Sequence, residues 1–364
     1  MANIIIAHQT ITDRDAIGHD ILGMYEALIE QGHDVYACCE YCLGKAKYLP
    51  TASSVNKNLF KDKDSIIIYH HSIFWEEGDK ILSEFKGRKF FKYHNITPSE
   101  YFIDFSDINY QKCKDGIEQT KRLVRRFKDS HWICDSEFNR QDLFRHGLRS
   151  DRCSIVPPFN VLEDLEKQEP NFQLIESLID NNSNNVLFVG RVSPNKGHIH
   201  LINTIKRYKD IYDSNIHLWV VGSMDRNSQK YNNGLNKMIE KYKLEDDITF
   251  TDSQPIENLK AYYLACDEFL CFSEHEGFCV PIIEAQKMML PVVTYAESAL
   301  TDTVGKNQII LNDLDYTFAA SALYTIYKEE KIQDFCRHNG MLNVNRRFSN
   351  DVIKDKLLKY MDLD

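Results

Sequence analysis

Glu268-Phe-Leu-Cys-Phe-Ser-Glu-His-Glu-Gly-Phe-Cys-Val-Pro-Ile-Ile-Glu284 is the stretch on which the fold turns. Its opening run, 268–273, is apolar without alternation and reads as a buried strand. Pro281 suits the first helical position, where a missing N–H costs nothing. Ile282 to Leu290 continues as a helix. One carboxylate, Glu276, falls in the turn, and another, Glu284, falls in the first helical turn. Helix-start amides attract anions such as phosphate. Helical side chains lean toward the N-terminus, so Glu284 aims back at the same space. A carboxylate there repels phosphate but suits hydroxyls, such as those of a ribose. A nucleotide or nucleotide-sugar meets both demands. Taken alone, the pair could equally be a loop residue and a solvated helix position.

The same alternation runs along the chain. Asn3–His8, Asp34–Cys38, Ser65–His70, Lys89–His94 and His131–Asp135 read as strands, separated mostly by helical stretches. A polar stretch from Pro157 to about Asn184 reads as a boundary with a surface helix. The pattern then restarts at Asn185–Arg191, Ile216–Gly222, Ile248–Thr251, 268–273, Pro291–Thr294 and Gln308–Leu311. Short apolar strands alternating with helices predict α/β domains with parallel sheets. The expected architecture is two facing Rossmann-like domains, 1–165 and 166–348, with a ligand cleft between them. A last helix in 349–364, capped by Ser349, is expected to cross back to the first domain.

A net charge of −10 argues against nonspecific nucleic-acid binding. No apolar run approaches the 18 or so residues of a membrane-spanning helix. The first residues pass straight into a strand, without the charge pattern of a signal peptide. The expected location is cytoplasmic. Ten cysteines are scattered, and Cys39-Glu-Tyr-Cys42 has no second pair at zinc-ribbon spacing. All ten are expected to be reduced.

Gly190-Arg191-Val-Ser-Pro-Asn-Lys196-Gly197 ends the first strand of the second domain and precedes a helix. Two cations between glycines at such a turn form a candidate phosphate cradle. The spacing is not that of a Walker A loop. Gly-Arg-x4-Lys-Gly followed by Glu-x7-Glu resembles the GT-B retaining glycosyltransferases of family 4. The resemblance covers the C-terminal domain strongly and the N-terminal domain more loosely. It implies an enzyme that moves a hexosyl-type sugar from a nucleoside-diphosphate sugar to a saccharide or lipid-linked saccharide hydroxyl, without a cofactor or metal. It implies that Arg191 and Lys196 bind the donor pyrophosphate, with Gly190 in the same cradle. It implies that Glu276 touches the donor sugar and Glu284 the ribose hydroxyls. Backbone at Gly277, Phe278, Cys279 and Val280 would meet the phosphate or sugar. Similar enzymes carry glycine where this chain has Cys279.

Lys92-Tyr-His94-Asn-Ile-Thr-Pro98 is similar to the Tyr-His-Asn-Ile-Thr-Pro segment of bacterial members that build surface polysaccharides. The resemblance implies that His94 faces the donor sugar; His70 and His71 are weaker candidates. Asp15-Ala-Ile-Gly18 resembles the family's glycine-containing loop near donor phosphate or acceptor, and it could also be a plain turn into a helix. Asp13-Arg-Asp15 lies too early to be a metal motif. Lys121-Arg-Leu-Val-Arg-Arg-Phe-Lys128 places its cations on one helical side. That side could touch anionic lipid heads or simply be solvated. Nucleotide-sugar 2-epimerases share the two-domain architecture, and a non-catalytic partner of another transferase would share it too.

Overall fold

The computed structural model describes residues 1–52, 57–179, 183–212 and 215–363. Residues 180–182 of the expected boundary and the terminal residue 364 lie outside them. The chain forms two compact units. One comprises Met1–Pro98, Gln111–Val161 and Phe348–Asp364; the other comprises Ser99–Tyr110 and Leu162–Arg347.

In unit 1 the strands are β1 (Asn3–Ala7), β2 (Thr10–Ile11), β3 (Asp34–Cys38), β4 (Tyr41–Cys42), β5 (Ile66–His71), β6 (Arg88–Tyr93), β7 (His131–Cys134) and β8 (Cys153–Ile155). Six of them form a parallel sheet in the order β3-β1-β5-β6-β7-β8, and β2 pairs with β4. Helices on both faces explain why these strands read as continuous apolar runs. Helix α1 (Ala16–Glu30) lays Ile21, Met24, Ala27 and Leu28 against Ile4, Ile6, Ile66 and Ile68. Helix α2 (Asp107–Arg126) buries Leu123 and Val124 with Phe91, Trp132 and Cys134.

The unit 2 strands are β9 (Asn184–Val189), β10 (Ile216–Val221), β11 (Ile248–Phe250), β12 (Glu268–Cys271), β13 (Val292–Tyr295) and β14 (Ile309–Leu311). Their order is β11-β10-β9-β12-β13-β14, all parallel. Strand order therefore reverses between β9 and β12. In doubly wound sheets ligands bind at the C-terminal ends of the strands flanking such a switch point. The next helices used below are α3 (His198–Ile211) and α4 (Val280–Lys287).

The last helix, α5 (Asn350–Met361), groups with unit 1. Ile353, Leu357, Leu358 and Met361 complete the core beside α1. Ser349 caps it, accepting from the Val352 amide. Asn160 and Asn350 exchange hydrogen bonds at 3.2 and 2.9 Å and pin its start. Ser349→Ala is expected to cost about 1 kcal/mol in urea unfolding. A loss below roughly 0.3 kcal/mol would show the cap to be idle.

Two features differ from the sequence reading. Residues 99–110 go with unit 2, because Phe105 packs edge-on to Tyr231 and Asn109 donates to Asp225 Oδ2 at 2.7 Å. These partners lie more than a hundred residues away, beyond any local pattern. Cys39 and Cys42 are joined as a disulfide rather than both reduced. The turn into β4 brings their Cα atoms to 6.5 Å, within bridging range. The other eight cysteines form no disulfide. No helix among the described residues is long and apolar enough to cross a membrane.

Candidate functional site

The turns after β9 and β12 flank the switch point of unit 2, and they are laced together. The Glu274 amide donates to the Asn195 carbonyl at 2.9 Å, and Asn195 Nδ2 donates to the His275 carbonyl at 3.2 Å. Ser193 Oγ holds the Asn195 side chain at 2.8 Å. Gly197 explains the close approach. It has φ +67°, and a Cβ there would sit 2.0 Å from the Phe272 carbonyl oxygen. Only glycine accepts both the left-handed backbone and that distance.

This approach places Lys196 Nζ 2.6 Å from Glu276 Oε1. Both side chains are largely shielded, 20% and 12% exposed. Burial works against the ammonium, but Glu276 outweighs it, and the Lys196 pKa rises above its ordinary value. Lysine therefore stays charged. Glu276 is itself fixed by backbone: its amide donates to Ser298 Oγ at 3.0 Å and its carbonyl accepts from Ala299. Arg191 is exposed and makes no ion pair among the described residues. Gly190 adopts φ +156° beside Gly222, whose Cβ would lie 2.1 Å from the Gly190 carbonyl oxygen.

Helix α4 starts one residue earlier than the sequence suggests, at Val280, so Pro281 is its second residue. The second amide of a helix also lacks an intrahelical acceptor, so proline is tolerated there. Glu284 consequently sits one turn into the helix. It is 8% exposed and accepts from Tyr263 Oη at 2.7 Å. Burial raises its pKa, and the tyrosine bond opposes that rise. Cys279 is the N-cap, with φ +75°. This is the left-handed conformation that glycine adopts most readily. Its thiol lies 3.9 Å from Cys271 Sγ, and that contact, then burial, raises the Cys279 pKa. Gly277 and Phe278 precede the cap, and the Phe278 carbonyl accepts from Thr303 Oγ1.

In unit 1 the C-terminal strand ends carry a second polar group. His94 follows β6. Its Nδ1 is 2.9 Å from Asp135 Oδ2, and its Nε2 is 2.9 Å from His70 Nδ1. Both ring nitrogens are thus engaged, and the side chain is 5% exposed. Lys92 Nζ is 2.8 Å from Asp135 Oδ1, 3.8 Å from Asp20 Oδ2, and donates to the Val156 carbonyl. Burial opposes the Lys92 charge, but Asp135 and then Asp20 raise its pKa above the usual value. His94 and Lys92 hold Asp135 low against burial. Burial pushes Asp20 up and His70 well down. Asp20, His70 and His94 place ligand-type atoms within 4.8 Å of one another. The Lys92 ammonium already supplies a cation to that carboxylate. His71 instead meets Thr120 Oγ1 at 2.8 Å, and burial lowers its pKa to about 3.

Gly18 is the third residue of α1, and its amide donates to the N-cap Asp15 at 2.7 Å. A Cβ at Gly18 would overlap the Thr12 carbonyl oxygen, so backbone packing alone requires glycine there. Sequence reasoning missed Asn195, Ser298, Tyr263, Lys92 and Asp135 as supports. Only Lys92 and Asp135 carried a signal, as polar residues at the ends of apolar strands.

Residues 171–340 match the family model described as Glycosyl transferases group 1. The fold is GT-B, with two Rossmann-like α/β domains. The capsular polysaccharide biosynthesis glycosyltransferase CapM of Staphylococcus aureus is 27% identical over 181 residues, 47% of this chain and 43% of its own. Mannosylfructose-phosphate synthase of Agrobacterium fabrum is 23% identical over 222 residues, 60% of this chain and 49% of its own. The chain thus spans under half the length of the curated relatives it matches. Among solved structures, Anabaena HepE in complex with UDP and glucose has a TM-score of 0.75 at 18% identity, with 100% of both chains covered. Sucrose-phosphate synthase from Thermosynechococcus elongatus has a TM-score of 0.76 at 18% identity, covering 100% of this chain and 98% of its own.

Proposed function

We propose that the protein is a retaining glycosyltransferase that moves a sugar from a nucleoside-diphosphate sugar to an acceptor hydroxyl in surface-polysaccharide or glycolipid assembly. The observation that carries this reading is the Lys196–Glu276 pair at the switch point of unit 2, 2.6 Å apart. It sets a phosphate-binding cation beside a hydroxyl-binding carboxylate. Arg191 and Lys196 take the pyrophosphate, with the helix-start backbone at Cys279 and Val280. Glu276 takes the sugar being transferred, Glu284 takes the ribose, and His94 is assigned to the transferred sugar. The solved structure of HepE with UDP-glucose and the matched capsular polysaccharide enzyme support a nucleotide-sugar donor and that pathway class.

In the transition state the sugar approaches an oxocarbenium ion while charge grows on the departing phosphate. Preorganised cations lower that barrier most. The leaving phosphate takes the acceptor proton on the face it departs from, which retains configuration. Side-chain cations neutralise the pyrophosphate in place of a metal. The acceptor is a saccharide or a lipid-linked saccharide, and the basic segment 121–128, at and just beyond the end of α2, is the candidate membrane-facing surface.

A thermal-shift screen of UDP-, GDP- and dTDP-sugars tests the reading. One donor class should raise the melting temperature, and turnover with that donor should follow. Stabilisation by none of them would sink it. Glu284→Ala is expected to weaken UDP or the cognate nucleotide roughly tenfold or more, since a hydroxyl loses a charged acceptor. Calorimetry returning an unchanged affinity would contradict the ribose role.

A further inference from the structure

The N-terminal ends of β6, β7 and β8 border a cavity of about 440 Å³. It lies at the opposite end of the unit 1 sheet from His94 and Asp135, about 17 Å away by strand rise. Arg88, Lys89, Arg126, His131 and Arg152 line it against one acid, Asp129. Arg88 opens β6, His131 opens β7, Arg152 precedes β8 and Arg126 ends α2. Topology thus gathers cations from four chain segments into one concavity.

For Arg88, Lys89 and Arg126 the partners leave the charge unmet. Arg88 Nη2 donates to the Met361 carbonyl at 3.3 Å, Lys89 Nζ to the Phe85 carbonyl at 2.8 Å, and Arg126 Nη2 to Ser83 Oγ at 2.9 Å. All three acceptors are neutral. Among the described residues, none of these three cations makes an ion pair. Arg152 Nε lies 3.7 Å from Asp151 Oδ2 and is buried without a hydrogen-bond partner. Burial, then Lys86 and Arg126, depress the Lys89 pKa; burial, then Arg152, depress that of His131. A solvated basic face spreads its cations apart. Here they converge, and an anion would relieve their repulsion.

We propose that this cavity binds a phosphate monoester, held by the guanidinium forks of Arg88, Arg126 and Arg152. Arginine forks match phosphate oxygens bidentately. The volume falls within the roughly 300–1,000 Å³ of small-molecule sites, so it also accommodates the group that carries the phosphate. That group is either a soluble ester or a lipid whose head is a phosphate monoester. The site is independent of Arg191 and Lys196 in unit 2.

Glycerol 3-phosphate titrated by calorimetry probes the soluble source. Flotation with phosphatidylcholine vesicles, with and without phosphatidic acid, probes the lipid source. Both are run on the full chain and on Arg88→Gln/Arg126→Gln, whose altered side chains are exposed. If that variant does not fold, Arg152→Gln carries the same comparison. Saturable binding of glycerol 3-phosphate, weakened at least tenfold in the variant, supports a soluble ester. Flotation only with phosphatidic acid, lost in the variant, supports the lipid head. Equal binding by variant and parent, or binding of neither probe, overturns the site.

Discussion

Lys196→Ala lowers turnover about 100-fold or more, the scale seen when a preorganised charge-stabilising group is removed from a reaction centre. The expectation rests on the proposed sugar transfer and on three features of the pair. Lys196 is tethered at 2.6 Å to Glu276, so its ammonium is positioned before any substrate arrives. It is largely shielded, so its field is weakly screened. Its raised pKa keeps it charged through neutral and mildly alkaline pH. Removing a charge that matters most as the phosphate departs lowers kcat and kcat/KM together. Lys196→Arg, which keeps the charge but not the compact head, is expected to recover part of the loss. Steady-state kinetics on folded variants decide the matter. A kcat for Lys196→Ala within a few-fold of the parent would remove the lysine from the chemistry.

The elements that sequence reading placed well are those with local causes. The apolar runs at 3–8, 185–191 and 268–273 contain β1, β12 and nearly all of β9, because parallel strands are buried on both faces. Ser349 caps α5 because its signal lies within three residues of the helix start. The turn motifs were legible for the same reason. Gly197 must be glycine beside Phe272, and that contact puts Lys196 next to Glu276. The spacing encoded the meeting, because the strands before these turns are adjacent in the sheet.

Supports from distant segments left no local trace. Tyr263 reaches Glu284 from the preceding helix, and Asp135 reaches His94 across 41 residues. His94 was singled out by its segment alone, and the partners of its two ring nitrogens, His70 and Asp135, come from the ends of other strands of unit 1. Cys279 shows the reverse case. It stands where similar enzymes carry glycine, yet it takes a left-handed backbone, at roughly 1–2 kcal/mol of steric cost.

The polar group under His94 yields the largest expected change in stability. Lys92→Met is expected to cost about 3–5 kcal/mol, because it strands buried carboxylates without a cation. Lys92 is fully buried and ion-paired with Asp135 at 2.8 Å. The two partners also fix the pH dependence. The depressed Asp135 stabilises the fold above its unfolded pKa of about 3.9 and loses that contribution as pH falls through its lower folded value. The raised Lys92 stabilises below its unfolded pKa of about 10.4 and loses that contribution as pH rises through its higher folded value. Between those limits both contribute, so the parent should show a broad plateau in urea unfolding. Asp20 behaves oppositely, since burial raises its pKa and ionising it costs stability as pH rises. Asp20→Asn keeps an oxygen for the Phe159 amide, now 2.7 Å away, and removes that charge. Adding it to Lys92→Met should therefore return part of the lost stability. A Lys92→Met protein that unfolds within 1 kcal/mol of the parent, or a double variant less stable than the single, would show that the carboxylates find their compensation elsewhere.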